Sequence, residues 1–179
     1  MSSSNTPHAP SDPTPMPQFL AAAGRRGPVV GVQTARRLSG VPVGFEVRTI
    51  DGAHTTTIDS LYRSFAQAWD FPDYFGHNMA AFDDCMRDLD HSNMPGPAPS
   101  GYLTHITDAQ RILSADDAVF DWFAGSMPFY RDHYRDDYRS RIAGHPTVFA
   151  VVLSVPQARV ETVRLRWRAA GVSLATIEE

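Results

Sequence analysis

An unbroken apolar run in the last quarter of the chain limits the fold more than any other segment. The run is TVFAVVLSV, residues 147–155, and it has the length and the valine-rich composition of a β-strand. Because it lacks the alternation of a half-exposed strand, we expect both of its faces to be buried. A strand covered on both faces is typical of a parallel sheet with helices packed against it.

Strand-like and helix-like segments alternate around this run. FEVRTI (45–50) and YLTHI (102–106) have strand composition, and VSLATI (172–177) is a further candidate. Apolar residues at helical spacing predict helices at 57–69, 78–89, 108–113, 116–124 and 156–170. Thr57 should cap the first of these helices, Gly125 and Pro128 should end the fourth, and Gly171 the last. The predicted fold class is α/β: a small parallel β-sheet of three or four strands, flanked by helices.

Composition divides the chain into four parts. Residues 1–17 hold five prolines with serine and threonine, which predicts a disordered tail. Residues 18–44 are an extension of uncertain structure, in which Val29 to Val32 resembles a short strand between glycines and prolines. Residues 45–155 form the predicted domain, and residues 156–179 add the last helix and the candidate last strand.

Charge and composition narrow the classes of function. The net charge of −4 argues against direct nucleic-acid binding, and no apolar run approaches the ~20 residues of a membrane span. The start, MSSSNTPHAP, lacks the features of a secretory signal, and one cysteine cannot form an internal disulfide. We therefore predict a cytoplasmic protein. All 16 basic residues are arginine, which indicates the composition of a GC-rich bacterial genome.

The residues indicate no reaction chemistry. The histidines lack zinc-ligand spacing, and neither a phosphate loop nor a dinucleotide fingerprint occurs. Cys85 lies on the apolar stripe of its helix, where burial makes a thiol inert. We predict no metal, no cofactor and no enzymatic activity.

The second predicted helix carries an unusual distribution of charge. Six acids accompany one base within residues 70–90. The polar face opposite the apolar stripe consists of Asp83, Asp84, Arg87 and Asp88. Asp84 and Asp88 repel each other across one turn by about 0.2–0.5 kcal/mol, and acids near a helix end also oppose the helix dipole. Exposure to solvent is enough to explain a short run of acidic residues. The same acidic face could also bind in a cationic groove of a partner protein.

The turn before this helix, Asp73-Tyr74-Phe75-Gly76, adds two aromatic residues. Gly76 permits a backbone with positive φ. A tyrosine beside an acidic helix face is a typical anchor for a protein partner. Ribonucleases have cationic grooves because they bind phosphate, so a ribonuclease is one partner that would accept this surface.

The whole segment FPDYFGHNMAAFDDCMRDLD, residues 71–90, closely resembles the signature of the barstar-like family, intracellular inhibitors of the ribonuclease barnase. The matching positions are Phe71, Pro72, Asp73, Tyr74, Phe75, Gly76, Asn78, Asp84 and Cys85. The resemblance extends over about residues 45–155. It implies a three-stranded parallel sheet and a protein that blocks an enzyme without catalysing a reaction.

The resemblance also implies roles for single residues. The Asp84 carboxylate would occupy the phosphate pocket of the ribonuclease, and Tyr74 would stack on the enzyme. Two positions depart from the family pattern, because Ala80 stands where an enzyme-binding aspartate is usual and Asp83 stands where the founding member has a tryptophan. The predicted partner-binding residues are Tyr74, Gly76, His77, Asn78, Ala80, Asp83, Asp84, Arg87 and Asp88.

Two functions remain open from the sequence. The first is an intracellular ribonuclease inhibitor or immunity protein, whose partner is a basic ribonuclease or a ribonuclease toxin domain. The alternative is an interaction module on the same fold that binds a non-ribonuclease toxin or a regulatory protein. The loss of the acid at position 80, the N-terminal tail, the tyrosine- and arginine-rich segment 130–141 and the C-terminal helix are the features that favour this alternative.

Residues 130–141, YRDHYRDDYRSR, place tyrosines and arginines in two helical stripes. Aromatic residues interleaved with arginine can bind RNA. The aspartates of this segment nearly cancel its charge, however, so we favour an amphipathic helix that packs its tyrosines on the domain.

Overall fold

A parallel sheet of five strands organises the protein. The computed structural model describes residues 12–89, 99–136 and 146–178. The strands are β1 (Val30–Gln33), β2 (Phe45–Asp51), β3 (Gly101–Thr107), β4 (Val148–Ser154) and β5 (Leu174–Thr176), and their spatial order is β2-β3-β4-β1-β5. Each neighbouring pair is parallel, which confirms the predicted fold class and the parallel pairing of the segments around 45–50, 102–106 and 147–155.

One helix precedes β1, and the other helices lie between β2 and β3, between β3 and β4 and between β4 and β5. The α-helices are α1 (Met16–Ala23), α2 (Ile58–Ala68), α3 (Met79–Met86), α4 (Asp117–Asp136) and α5 (Val160–Ala169), and short 3-10 turns occupy Gly52–His54, Ala109–Arg111 and Gln157–Arg159. The predicted cap of α2 is confirmed. Thr57 Oγ1 accepts from the Ser60 N–H, and Ser60 Oγ accepts from the Thr57 N–H, so both form a capping box.

Both faces of the sheet are covered. Helices α2, α3, α4 and α5 pack on one face, over side chains that include Tyr102 and Phe149. Helix α1 and part of the segment after β1 pack on the other face, over Leu103 and Val152. Residues of β4 alternate between the two clusters, which confirms that the apolar run 147–155 is buried on both faces.

The amino-terminal boundary predicted from composition is wrong where the structure describes it. Met16 opens α1 and is buried, and Thr14 forms a parallel bridge with Ile177. Pro15 and Pro17 flank the first helical residue. Proline has no N–H group, and the first N–H groups of a helix have no acceptor within the helix, so no hydrogen bond is lost. Proline therefore starts a helix here. Residues 1–11 of the predicted tail lie outside the described residues.

Strand β1 adds a second correction, because the sheet has five strands instead of three or four. β1 lies between β4 and β5, so the segments 18–44 and 156–178 contribute to the same sheet as residues 45–155. All four residues of β1 are buried, and the strand pairs on both sides. This tertiary pairing stabilises a strand whose local signal is only four residues long.

Helix α4 continues through the two residues that were predicted to end it. Gly125 is helical, and Pro128 lies inside the helix. A proline there removes one main-chain hydrogen bond, but buried side chains on both sides of it, such as Phe123 and Tyr130, hold the helix on the core. Tertiary burial outweighs the local preference.

Two further boundaries shift by a few residues. Helix α3 spans 79–86 instead of 78–89, and α5 begins at Val160 after a 3-10 turn. Gly171 follows α5, as predicted, with a φ of 82° that favours glycine.

Three buried polar side chains join β1, β3 and β4 at their carboxyl ends. Ser154 Oγ lies 2.8 Å from His105 Nε2 and 3.2 Å from Gln33 Nε2, and it donates to Ala35 O over 2.7 Å. Because the hydroxyl hydrogen is used on Ala35, Ser154 accepts from the histidine, which places a hydrogen on Nε2. Burial lowers the pKa of His105, since the charged imidazolium would lose its hydration.

We expect acid to destabilise the protein through His105. Its pKa is near 6.5 when unfolded and lower when folded, so the unfolded state binds the proton first as the pH falls below that value. The stability that neutral His105 contributes is present above this pH and is lost below it. Urea denaturation at about pH 7.5 and 5 should show a smaller loss of unfolding free energy for His105→Gln than for the wild type. Equal losses would contradict this account.

Candidate partner-binding surface

The loop before α3 is held by its aromatic residues and presents one of them outwards. Phe71 and Phe75 are buried and meet edge to face, with ring centroids 5.2 Å apart. The Phe75 N–H donates to Pro72 O over 2.8 Å and closes a tight turn. Tyr74 points the other way and is 86% exposed. The turn therefore fixes an exposed aromatic ring on a rigid base.

The positive φ of this loop belongs to His77 and not to Gly76. His77 has a φ of 47°, and its ring stacks on Phe75 at 4.8 Å. Gly76 matters for a different reason, because a Cβ there would lie 2.9 Å from Asn78 Nδ2 and would displace that side chain. Gly76 thus makes room for the residue that begins α3.

Asn78 joins the loop to the helix. Its Oδ1 accepts from the Ala81 N–H over 2.9 Å, and its Nδ2 donates to Gly76 O over 3.1 Å. This is the N-cap arrangement that favours asparagine. The Asn78 side chain therefore fixes the loop relative to the start of α3. Direct contact of Asn78 with a partner stays a prediction.

The inward face of α3 is buried as expected. Phe82, Cys85 and Met86 are buried among side chains of the larger core cluster. Burial raises the pKa of the Cys85 thiol, and the nearby charges of Asp84 and Asp88 raise it further. A thiol kept protonated in this way is a poor nucleophile.

The outward face of α3 carries Ala80 and Asp84, which are both exposed, and the exposed Asp88 follows two residues after the last helical residue, Met86. The side chain of Asp84 is 72% exposed. Arg87 forms a salt bridge with Asp84, and its Nε donates to Asp83 O over 3.2 Å. Because α3 ends at Met86, Asp84 and Asp88 do not lie one helical turn apart as predicted, and the cation of Arg87, just after the helix, pairs with Asp84. That Tyr74 and Asp84 act together on a partner stays a prediction.

Asp83 differs from its exposed neighbours. Its residue is half-buried, and its carboxylate accepts a hydrogen bond from the hydroxyl of Tyr130 on α4. Burial and this hydrogen bond to Asp83 both raise the pKa of Tyr130. Asp83 therefore has an internal partner, which limits how freely it can serve the predicted interface.

Helix α4 fixes the edge of α3 through further side chains that the sequence did not assign to this surface. Tyr134 Oη donates to Met86 O over 2.8 Å and accepts from the Leu89 N–H over 2.9 Å. His133 Nε2 lies 3.0 Å from Arg87 O. Burial of Tyr130 and Tyr134 confirms that the tyrosine stripe packs on the domain, while Tyr138 lies outside the described residues. The stripe predicted a buried face without identifying α3 as its neighbour.

The described residues offer few other sites. Among them, no group of three or more histidine, cysteine or acidic side chains is placed to hold a metal ion. A cavity of about 320 Å³ lies at the carboxyl ends of β1 and β5, and Gln33 and Thr176 are among the residues that line it. None of the predicted partner-binding residues lines this cavity. Every helix within the described ranges is too short or too polar to cross a membrane.

Removal of the Tyr130 hydroxyl should destabilise the protein by about 1–2 kcal/mol, because the half-buried Asp83 carboxylate loses its donor. Urea unfolding of Tyr130→Phe, Asp83→Ala and the double variant measures the coupling between them. The double variant should lose less than the sum of the two single losses. Additive losses would show that the two side chains do not interact.

The comparison with known families agrees with this geometry. The family model described as Barstar (barnase inhibitor) matches residues 45–153, which is more than half of the chain and includes the loop, α3 and the sheet from β2 to β4. Comparison with curated proteins finds no match. On the strength of the family match, the chain belongs to the barstar (barnase inhibitor) family.

Proposed function

We propose that this protein inhibits a ribonuclease by laying α3 and its preceding loop across the active site of the enzyme. The observation that carries the proposal is the exposed carboxylate of Asp84, on a helix whose opposite face is buried. A carboxylate in this position can take the place of the substrate phosphate in a cationic pocket. The effect is steric and electrostatic, and no bond is made or broken.

The loop supplies a second contact. Tyr74 is exposed on a turn that Phe71 and Phe75 anchor in the core, so little conformational freedom is lost when its ring is covered. Stacking of Tyr74 on the enzyme would place Asp84 at its pocket. His77, Gly76 and Asn78 shape the loop between these two contacts.

We place this inhibition inside the cell that makes the protein. Cys85 is free and buried, which suits a reducing compartment. An inhibitor there protects its own cell from a secreted ribonuclease or a ribonuclease toxin domain before the enzyme leaves. A net charge of −4 favours encounter with such a basic partner.

A second candidate is an interaction module for a partner that is not a ribonuclease. The observation that favours it is the change in the acidic face: position 80 carries an alanine, and the Asp83 carboxylate is bound by Tyr130. Fewer carboxylates then point outwards than in the family pattern. Inhibition assays separate the two candidates, because only the first predicts loss of RNA cleavage.

The Asp84→Ala variant should bind its ribonuclease at least about 30-fold more weakly, as expected for the loss of a hot-spot carboxylate. Its thermal stability should change little, because an exposed ion pair contributes only about 0–1 kcal/mol. Glu161→Ala on α5 is the matched control, since Glu161 is also exposed and lies near Arg164 one helical turn away. RNA cleavage by barnase and by a panel of other basic ribonucleases, titrated with each protein, provides the measurement.

Equal inhibition by the wild type and both variants would show that Asp84 is a bystander. No inhibition of any ribonuclease by the wild type would overturn the proposed function and leave the interaction module.

A further inference from the structure

A large apolar side chain lies exposed next to the acidic helix. Phe129, on α4, is 55% exposed. The other exposed large apolar side chains among the described residues are Val43, Tyr74, Met79 and Leu165. Two of these, Tyr74 and Met79, belong to the loop and to α3. Exposed apolar surface is therefore concentrated on and beside the proposed inhibitory surface.

Arg87 makes Phe129 continuous with that surface. The guanidinium of Arg87 lies 5.8 Å from the centre of the Phe129 ring, within the range of a cation–π contact. The same guanidinium forms the salt bridge with Asp84. Asp84, Arg87 and Phe129 thus lie in one row that crosses from α3 to α4.

Neighbouring residues hold the helix backbone at Phe129 in place. The next residue, Tyr130, is buried and bonded to Asp83, and His133, one turn further on, lies 3.0 Å from Arg87 O. These contacts hold the outer edge of α4 against α3. An aromatic ring on a pre-organised base needs little ordering when a partner covers it.

The acidic face of α3 offers fewer free carboxylates than the family pattern, so an apolar contact at Phe129 would add to binding. Asp83 is engaged internally, and Ala80 has no charge to offer. A partner that binds this surface tightly would then depend in part on other residues, and aromatic side chains are enriched among the residues that dominate binding energy.

From these observations we infer that the inhibitory surface continues from α3 across Arg87 onto α4, with Phe129 as an apolar anchor. The partner it fits is a basic protein whose cationic groove is bordered by an apolar side chain that covers the Phe129 ring. This inference rests on the proposed function and adds a specificity-determining residue to it.

Dissociation kinetics test the inference. The probe is the ribonuclease, from the panel that includes barnase, that the wild type binds most tightly. Phe129→Ala should dissociate about 30-fold faster, as expected for a hot-spot residue. Its association rate and the salt dependence of that rate should stay as in the wild type, because the ring carries no charge. Leu165→Ala on α5 is the control, since Leu165 is 61% exposed and belongs to a different helix.

Three outcomes are distinguishable once thermal unfolding has shown that the variants fold. Faster dissociation of Phe129→Ala alone supports the extended surface, and Phe129→Leu should keep part of the wild-type lifetime. Equal dissociation of Phe129→Ala and Leu165→Ala, with binding still weakened by Asp84→Ala, overturns the inference and leaves the proposed function intact. Failure of the wild type to bind any ribonuclease of the panel overturns both.

Discussion

The packing of Phe82 is the contact on which the proposed surface depends. Phe82 is fully buried on the inner side of α3, and its ring meets Phe65 at 5.2 Å, Trp122 at 5.5 Å and Phe71 at 5.9 Å. These partners come from α2, from α4 and from the loop, so one side chain joins every element around the surface. Truncation of a buried phenylalanine typically costs about 3–5 kcal/mol. Because Phe82 anchors the inner face of α3, the side chain of Asp84 is directed outwards.

The acidic face is stabilised by internal partners that also limit it. Arg87 pairs with Asp84, and Tyr130 donates to Asp83, so part of the repulsion among neighbouring carboxylates is offset within the protein. An exposed pair such as Asp84 and Arg87 opens at little cost. The half-buried pair of Asp83 and Tyr130 is more expensive to open, because a carboxylate would lose its donor. Of the two carboxylates, Asp83 and Asp84, a partner can therefore reach that of Asp84 more easily.

Local signals in the sequence predicted the elements that local physics determines. The apolar run 147–155 is a strand buried on both faces, and Thr57 caps α2 as its position suggested. Elements that depend on distant contacts were predicted only in part, because the strand-like segment at Val29 to Val32 was left uncertain and the helix at 116–124 was predicted to end too early. Strand β1 is only four residues long and depends on β4 and β5, while α4 passes Pro128 because its apolar face is buried.

The candidate site follows the same division. The exposure of Asp84 and the burial of Cys85 could be predicted from helical spacing alone. The hydrogen bond between Tyr130 and Asp83 could not, because the two residues are 47 positions apart. Helical spacing predicts which face of a helix is buried, but it does not identify the neighbouring helix. For this reason the contribution of α4 to the surface emerged only from the structure.

The rate of association as a function of salt tests most directly whether the acidic face meets a cationic groove. The Debye length falls from about 30 Å at 0.01 M to about 10 Å at 0.1 M ionic strength, so long-range attraction is lost over this range. Stopped-flow measurement with the inhibited ribonuclease should show an association rate that drops steeply with salt and a dissociation rate that changes little. An association rate independent of salt would contradict electrostatic recognition by α3, even for a protein of the barstar family.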